Sequence, residues 1–360
     1  MKKSLMTLAC AVSGVALFMR YYPEFGKSPG RREKARFRQS KQFKNDRFVN
    51  EQPFKLIADA KTFRSILKDQ FQGLSQLRPA DKLPVLAYTG GEGDRVTWFG
   101  HSAFLLELEG VRVFFDPMLG TAPSPFPKIG RNRFELGEPF AVEKLPMLDA
   151  VVFSHDHYDH LDRHSIRLLK DRASRFIVPL GVGSRLIGWG VAPEKVVELD
   201  WHGTTEVNGL RFVCTPARHY SGRRGFDQYS TLWSSWVVKG KDRSVFYSGD
   251  SGYGPHFKEI GERYGPFDLT LMECGQYDPR WQDSHMLPEE TVQAHLDVKG
   301  KLLVPVHWSA FTLAFHPWHE PVERALAAAA GRTEVATPRI GESVELDAPP
   351  PRRHWWRDVK

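Results

Sequence analysis

Leu148-Asp149-Ala150-Val151-Val152-Phe153-Ser154-His155-Asp156-His157-Tyr158-Asp159-His160 decides the reading of this chain. Its first half is an apolar run of strand length. Its second half crowds imidazoles and carboxylates together, so a ligand-rich loop begins where a buried strand stops. Open α/β sheets carry their chemistry at such strand ends. Neutral imidazole and carboxylate form the donor set of a borderline cation such as zinc, and side chains two apart on a tight loop can converge on one ion.

Working outward, three more strand-like runs each end in a ligand-type side chain. Leu210–Thr215 leads to His219, Ser244–Gly249 to Asp250, and Lys301–Val306 to His307. Any one of them alone would be an ordinary structural polar residue. Together with His155, His157, Asp159 and His160 they make seven candidate ligands, more than one tetrahedral site uses and enough for two ions.

The pattern His155-x-His157-x-Asp159-His160 resembles the signature of metallo-β-lactamase-fold hydrolases. Within them the chain is most similar to the N-acylphosphatidylethanolamine-hydrolysing phospholipase D group, including its bacterial members. The similarity rests on Trp98-Phe99-Gly100-His101-Ser102, Asp116-Pro117, Ser154 through Asp162, Glu198-Leu199-Asp200-Trp201, Ser248-Gly249-Asp250-Ser251-Gly252-Tyr253, Glu259-Ile260-Gly261, Gly265-Pro266-Phe267-Asp268, Tyr277-Asp278-Pro279-Arg280-Trp281 and Val306-His307-Trp308. The histidine motif marks only the superfamily, whereas Tyr-x-Pro-Arg-Trp followed by His285 is narrower. Ser284, Asp156 and Glu273 depart from the mammalian members, which carry a glutamine, an asparagine and a small apolar residue there. These departures bear on acyl and headgroup preference more than on the chemistry.

The resemblance implies an α/β fold, an αββα metallo-β-lactamase sandwich with a binuclear metal site at the strand ends. It also implies a metal set in which His155, His157 and His219 hold one zinc, Asp159, His160 and His307 hold a second, and Asp250 bridges. Two zinc ions per chain would make water nucleophilic at neutral pH. The catalytic residues are then Asp159, Asp250 and His285, with His285 contacting the phosphate or supplying the leaving group's proton. His101 is expected to pack or hydrogen-bond beneath the site, and Glu273 to accept from a ligand imidazole. The implied reaction is phospholipase D-type cleavage of N-acylphosphatidylethanolamine to N-acylethanolamine and phosphatidic acid. A lactonase and an RNA-processing nuclease of the same superfamily are the alternatives, and a degenerate, non-enzymatic fold would lack ligands that are all in place.

Composition places the basic character locally. Residues 20–47 hold ten Lys/Arg against three Asp/Glu, which accounts for the whole formal charge of +7. That stretch follows Leu5 to Met19, an uncharged run about 22 Å long as a helix, shorter than a bilayer core of about 30 Å. The bulky end Leu17-Phe18-Met19-Arg20-Tyr21-Tyr22 favours an uncleaved anchor over a cleaved signal peptide, and Ala9-Cys10 leaves a lipoprotein site as a minor alternative. The heavier positive flank beyond the run puts the catalytic domain in the cytoplasm, tethered to a membrane, with a periplasmic placement as the alternative. The folded part holds only Cys214 and Cys274, too few for a disulfide framework.

The expected divisions are an anchor or signal-like segment over 1–20, a basic juxtamembrane segment over 21–85, the hydrolase domain over 86–345 and an irregular Pro/Trp-containing tail over 346–360. Expected partners are a phospholipid substrate and the membrane surface, with a homodimer left open. Phe37, Phe43 and Phe48 among the basic residues would permit nucleic-acid contact, but no nucleic-acid motif accompanies them and no such partner is expected. On this reading residues 1–48 supply proximity to lipid and no chemistry, because every zinc ligand lies at or beyond His155.

Val96 to Phe115 reads as a hairpin turned at Glu109-Gly110. Further strands are expected near residues 150–153, 176–179, 196–199, 210–215, 234–238, 245–248, 269–273 and 302–306. Helices are expected near 163–171, 288–297 and 321–330.

Overall fold

A computed structural model describes residues 13–15, 17–55, 60–71, 76–127, 132–139 and 142–360. Most of the apolar run Leu5–Met19, with Cys10, lies outside the described residues. Among those residues no helix is long and apolar enough to cross a membrane.

Fourteen strands form two seven-stranded sheets. In chain order they are β1 (Arg95–Trp98), β2 (Phe104–Leu108), β3 (Val111–Phe115), β4 (Leu148–Val152), β5 (Ala173–Pro179), β6 (Val196–Leu199), β7 (Thr204–Val207), β8 (Leu210–Thr215), β9 (Ser235–Lys239), β10 (Ser244–Tyr247), β11 (Phe267–Glu273), β12 (Gly300–Val306), β13 (Glu334–Val335) and β14 (Ser343–Glu345). One sheet runs β14-β1-β2-β3-β4-β5-β6 and the other β13-β12-β11-β10-β9-β8-β7. Each is antiparallel at one end and parallel at the other. Helices cover the outer faces, which buries both sides of the central strands and explains their continuous apolar runs. Ala150 and Val152 of β4 point into the core between the sheets, while Val151 and Phe153 pack into the cluster shared with Ile166 and Leu169 of the helix Arg163–Leu169. That helix starts where the Asp162 carboxylate accepts from the Ser165 amide at 3.1 Å, capping the first turn directly after the histidine loop.

The turn at Glu109-Gly110 is where the sequence predicts it, with both residues at positive φ as a two-residue hairpin requires. Its first arm is two strands, however, because the chain breaks out of the sheet between Trp98 and Phe104 to carry His101 into the site.

The basic segment is part of the globule. Phe37, Phe43 and Phe48 have 0, 8 and 1 % of their surface exposed, lie within 4.9–5.6 Å of one another by ring centroid, and belong to the core between the sheets. They are unavailable for nucleic-acid stacking, and burial of each contributes about 1.5–3 kcal/mol. Arg36 pairs with Glu198 and Arg38 lies 3.7 Å from Asp46, so part of the basic run is engaged with protein. The tail is likewise more ordered than its composition suggests: a short turn at Trp355–Asp358 buries both tryptophans against Trp308, the residue after His307.

Candidate metal centre

All seven candidate ligands converge at the carboxyl ends of the strands. β4 delivers His155, His157, Asp159 and His160, β8 delivers His219, β10 delivers Asp250 and β12 delivers His307. Gly249 lets β10 turn into the site, since a Cβ there would stand 2.5 Å from the Ser234 carbonyl. Donor atoms of His155, His157 and His219 lie within 4.8 Å of one another, as do those of His101, Asp159, His160 and His307. Asp250 stands between the groups: its Oδ2 is 3.1 Å from His160 Nε2 and 3.8 Å from Nε2 of both His155 and His219. The side chains gather into these neighbouring groups, with His101 joining the second of them.

Outer hydrogen bonds fix which nitrogen of each ring faces inward. His219 Nδ1 donates to the Ser284 carbonyl at 3.0 Å and His160 Nδ1 lies 2.7 Å from Asp116 Oδ2. His155 Nδ1 is 2.9 Å from Ser154 Oγ, and His307 Nδ1 is 3.0 Å from Ser102 Oγ. His155, His160 and His219 thereby leave Nε2 for the centre, whereas His307 also turns Nδ1 to Asp250 Oδ1 at 3.1 Å and His157 presents Nδ1 to His155 and His219. His101 Nε2 meets Asp159 Oδ2 at 2.9 Å, the supporting role expected of it, while the His307 amide donates to the His101 carbonyl at 2.9 Å and the His101 amide to the Trp308 carbonyl at 3.0 Å, joining the two sheets beside the site.

These residues fit metal ions on three observations. His219 gives its Nδ1–H to the Ser284 carbonyl, and its Nε2 converges with His155 Nε2 on His157 Nδ1, at 3.2 and 2.9 Å, so three ring nitrogens meet at one point. His307 Nε2 is buried without a hydrogen-bond partner, and Asp250 Oδ1 is buried with only His307 Nδ1 beside it, at 3.1 Å. Burial holds the imidazoles of His155, His219 and His307 well below their usual value, leaving them in the neutral form that ligates. His160 goes the other way: burial opposes its charge, but Asp250, Asp159 and Asp116 carry it well above its usual value. The centre is built to receive positive charge.

Asp116 carries part of the resemblance in the sequence but is assigned no role there. It follows β3 as the other carboxylates follow their strands, and it accepts from the Tyr247 hydroxyl at 2.5 Å and the Ser154 amide at 2.7 Å while orienting His160. Glu273 corrects an expectation, because it serves His285 instead of a ligand: Oε2 is 2.9 Å from His285 Nδ1, and Oε1 accepts from the Met286 amide at 2.9 Å. Burial raises Glu273 well above the usual carboxyl range. His285 is not on the open surface; its ring lies 5.2 Å from those of His219 and His307. Asp156 turns away from the centre, accepting from Arg185 Nε at 3.2 Å and the Gly222 amide at 2.8 Å, so this departure from the mammalian pattern is an ion-pair matter beneath the loop.

A cavity of about 560 Å³ opens over the candidate ligands. His157, Asp159, Asp250, His285 and His307 form its floor, and Ile66, Pro123, Trp281, Leu313 and Phe315 its apolar wall.

The fold and this centre define a metal-dependent hydrolase, and the chain belongs to the β-lactamase superfamily, whose domain matches residues 111–308. An uncharacterised protein of Mycobacterium tuberculosis, Rv0906, is 44% identical over 329 residues, covering 89% of this chain and 88% of that one. N-acyl-phosphatidylethanolamine-hydrolyzing phospholipase D 1 of Caenorhabditis elegans is 33% identical over 273 residues, covering 72% and 76%. Among solved structures, Igni18, a metallo hydrolase of Ignicoccus hospitalis, superposes with a TM-score of 0.54 at 23% identity, covering 70% of this chain and 97% of that one. That last likeness concerns the fold alone.

Proposed function

We propose that the protein is a phosphodiesterase that uses two zinc ions and cleaves N-acylphosphatidylethanolamine at the phospholipase D bond, releasing N-acylethanolamine and phosphatidic acid. The observation that carries this reading is the placement of His285 in the cavity, beside both ligand groups and backed by buried Glu273. His155, His157 and His219 would hold one ion, Asp159, His160 and His307 the other, and Asp250 would contact both. Bound metal supplies a nucleophile at neutral pH and offsets charge on phosphoryl oxygens. The chain's own contribution is to hold the diester between the polar floor and the apolar wall. Glu273 fixes the tautomer of His285, whose Nε2 faces the cavity to meet a phosphoryl oxygen or protonate the departing alkoxide. The relative in Caenorhabditis elegans supports the substrate class.

An assay of zinc-loaded protein against N-acylated phospholipids, a phosphodiester dye and a lactone tests the reading. Release of N-acylethanolamine is expected; turnover of the lactone alone would sink it. His285→Ala should cut turnover by about two orders of magnitude, the scale of a lost proton donor, and leave both metals bound. Wild-type turnover in that variant would remove His285 from the chemistry, and metal loss would make it a ligand.

Membrane contact is part of the proposal. Val15, Leu17, Phe18 and Tyr21 are 62, 57, 42 and 66 % exposed, and Arg31, Arg32 and Lys34 follow on the helix Arg31–Phe37. Each exposed basic residue near an anionic leaflet is worth about 1 kcal/mol. Neutralising these three should weaken sedimentation with anionic vesicles and leave hydrolysis of a short-chain soluble analogue intact, with the difference shrinking as salt is added. Equal vesicle binding at low salt would reduce the basic run to a structural element.

A further inference from the structure

Arg223 is buried to 4 % exposure, and the hydrogen bonds of its guanidinium go to backbone carbonyls. Nη1 donates to the Asp156 and Leu161 carbonyls, each at 2.7 Å. Those two residues bracket His157, Asp159 and His160, so one nitrogen ties together both ends of the ligand loop. The Tyr158 ring in the middle of the loop lies 3.7 Å from the guanidinium carbon, and its hydroxyl donates to the Arg223 carbonyl at 2.9 Å. From the other side Nε and Nη2 donate to the Glu24 carbonyl at 3.3 and 2.8 Å.

Glu24 belongs to a strap, residues 19–28, laid across the same region. Arg224 holds its two ends, donating to the Met19 carbonyl at 2.8 Å, the Gly26 carbonyl at 2.7 Å and Ser28 Oγ at 2.6 Å. Trp189 Nε1 donates to the Pro23 carbonyl at 2.7 Å, Arg163 pairs with the Glu24 carboxylate at 3.0 Å, and Phe25 is 3 % exposed. The segment that the sequence assigns to membrane proximity is thus joined through one side chain to the loop that carries three candidate ligands.

We infer that Arg223 is a positioning residue for the ligand loop 157–160 and that the strap 19–28 is its outer support, so metal affinity depends on a segment that contributes no ligand. The inference rests on the assignment of His157, Asp159 and His160 as ligands. Its physical basis is the fork of arginine, which reaches carbonyls on two sides at once; lysine offers a single point of charge and cannot span both. Without the fork, either the two buried loop carbonyls or the Glu24 carbonyl loses its donor, and the link between loop and strap is broken.

The test is zinc titration of metal-free protein against a competing chromophoric chelator, run on the full chain, on Arg223→Lys, on a deletion of residues 1–28 and on the two combined. The deletion ends ahead of Gly30, which caps the helix Arg31–Phe37, and leaves Phe37, Phe43 and Phe48 in the core. Val322→Ala, a fully buried position on the helix Glu320–Ala329, reports what general destabilisation does to affinity. Arg223→Lys and the deletion should each weaken zinc binding about tenfold, the lower end of the range for residues supporting a ligand. The combination should add little, because both break one linkage, and Val322→Ala should bind as the parent does. Parent affinity in Arg223→Lys or in the deletion would overturn the inference, and so would equal weakening in Val322→Ala. Should Arg223→Lys fail to fold, the deletion decides alone, since Arg223 is then present without its support. A parent protein that binds no zinc would instead sink the ligand assignment beneath it.

Discussion

Asp250→Asn is expected to lower turnover by about 10²–10³-fold and to leave the protein with fewer than two metal ions per chain. The argument is positional. Asp250 is 3 % exposed and touches both candidate ligand groups, Oδ2 lying against His155, His160 and His219 and Oδ1 3.1 Å from His307 Nδ1. Asparagine has the same shape, so packing is retained, but a neutral amide places a weak dipole where two cations would need a shared negative charge. Its NH₂ could also turn toward the imidazole nitrogens and compete for their lone pairs. Metal analysis alongside steady-state turnover separates the outcomes. Two ions and parental turnover would remove Asp250 from the centre. Two ions with slow turnover would make it a charge-stabilising group and leave retention of the metals to the histidines.

The candidate ligands were legible because they follow apolar runs, and a run buried on both faces is visible without knowledge of its neighbours. The same rule would have found Asp116 after Val111–Phe115, but a carboxylate followed by proline reads as a turn, and nothing local says that it faces His160 from 44 residues away. The supports of the loop were not legible at all. Arg223 and Glu24 are 199 residues apart, and a carbonyl acceptor leaves no trace in side-chain identity. Phe37, Phe43 and Phe48 misled for a related reason: aromatics among basic residues have the same spacing whether they stack on a base or on one another. Their burial means that residues 1–48 supply core packing as well as any proximity to lipid. Asn50, just beyond that segment, adds to this, bonding reciprocally with the backbone of His219 at 2.7 and 3.1 Å. The tail follows the same logic, because a Trp355-Trp356 pair finds its partners in Trp308 and Trp318, which no local pattern could pair with it.

Arg185→Met should cost about 3–5 kcal/mol of folding stability, a large share of the total for an ordinary domain. Arg185 has no exposed surface and sits between two carboxylates, with Nη2 2.8 Å from Asp227 Oδ2 and 3.1 Å from Asp156 Oδ2. Arg224 also reaches Asp227, at 3.2 Å, so that carboxylate keeps a partner in the variant. Asp156 does not fare as well: burial pushes its carboxyl up, and it is Arg185 first and Arg223 second that hold it below the usual range. Loss of Arg185 therefore strands a fully buried charge, and the cost comes from that stranded charge more than from the contact removed. Removing both charges distinguishes this from simple loss of packing. Asp156→Asn combined with Arg185→Met should regain a substantial part of the deficit, giving a coupling energy within the range of about 0.5–3 kcal/mol measured for contacting pairs. Denaturant unfolding of the parent, the two single variants and the double variant reads this directly. Additive losses would assign the effect to packing around the Arg185 side chain, and a single-variant loss below about 1 kcal/mol would mean that water reaches Asp156 beneath the loop.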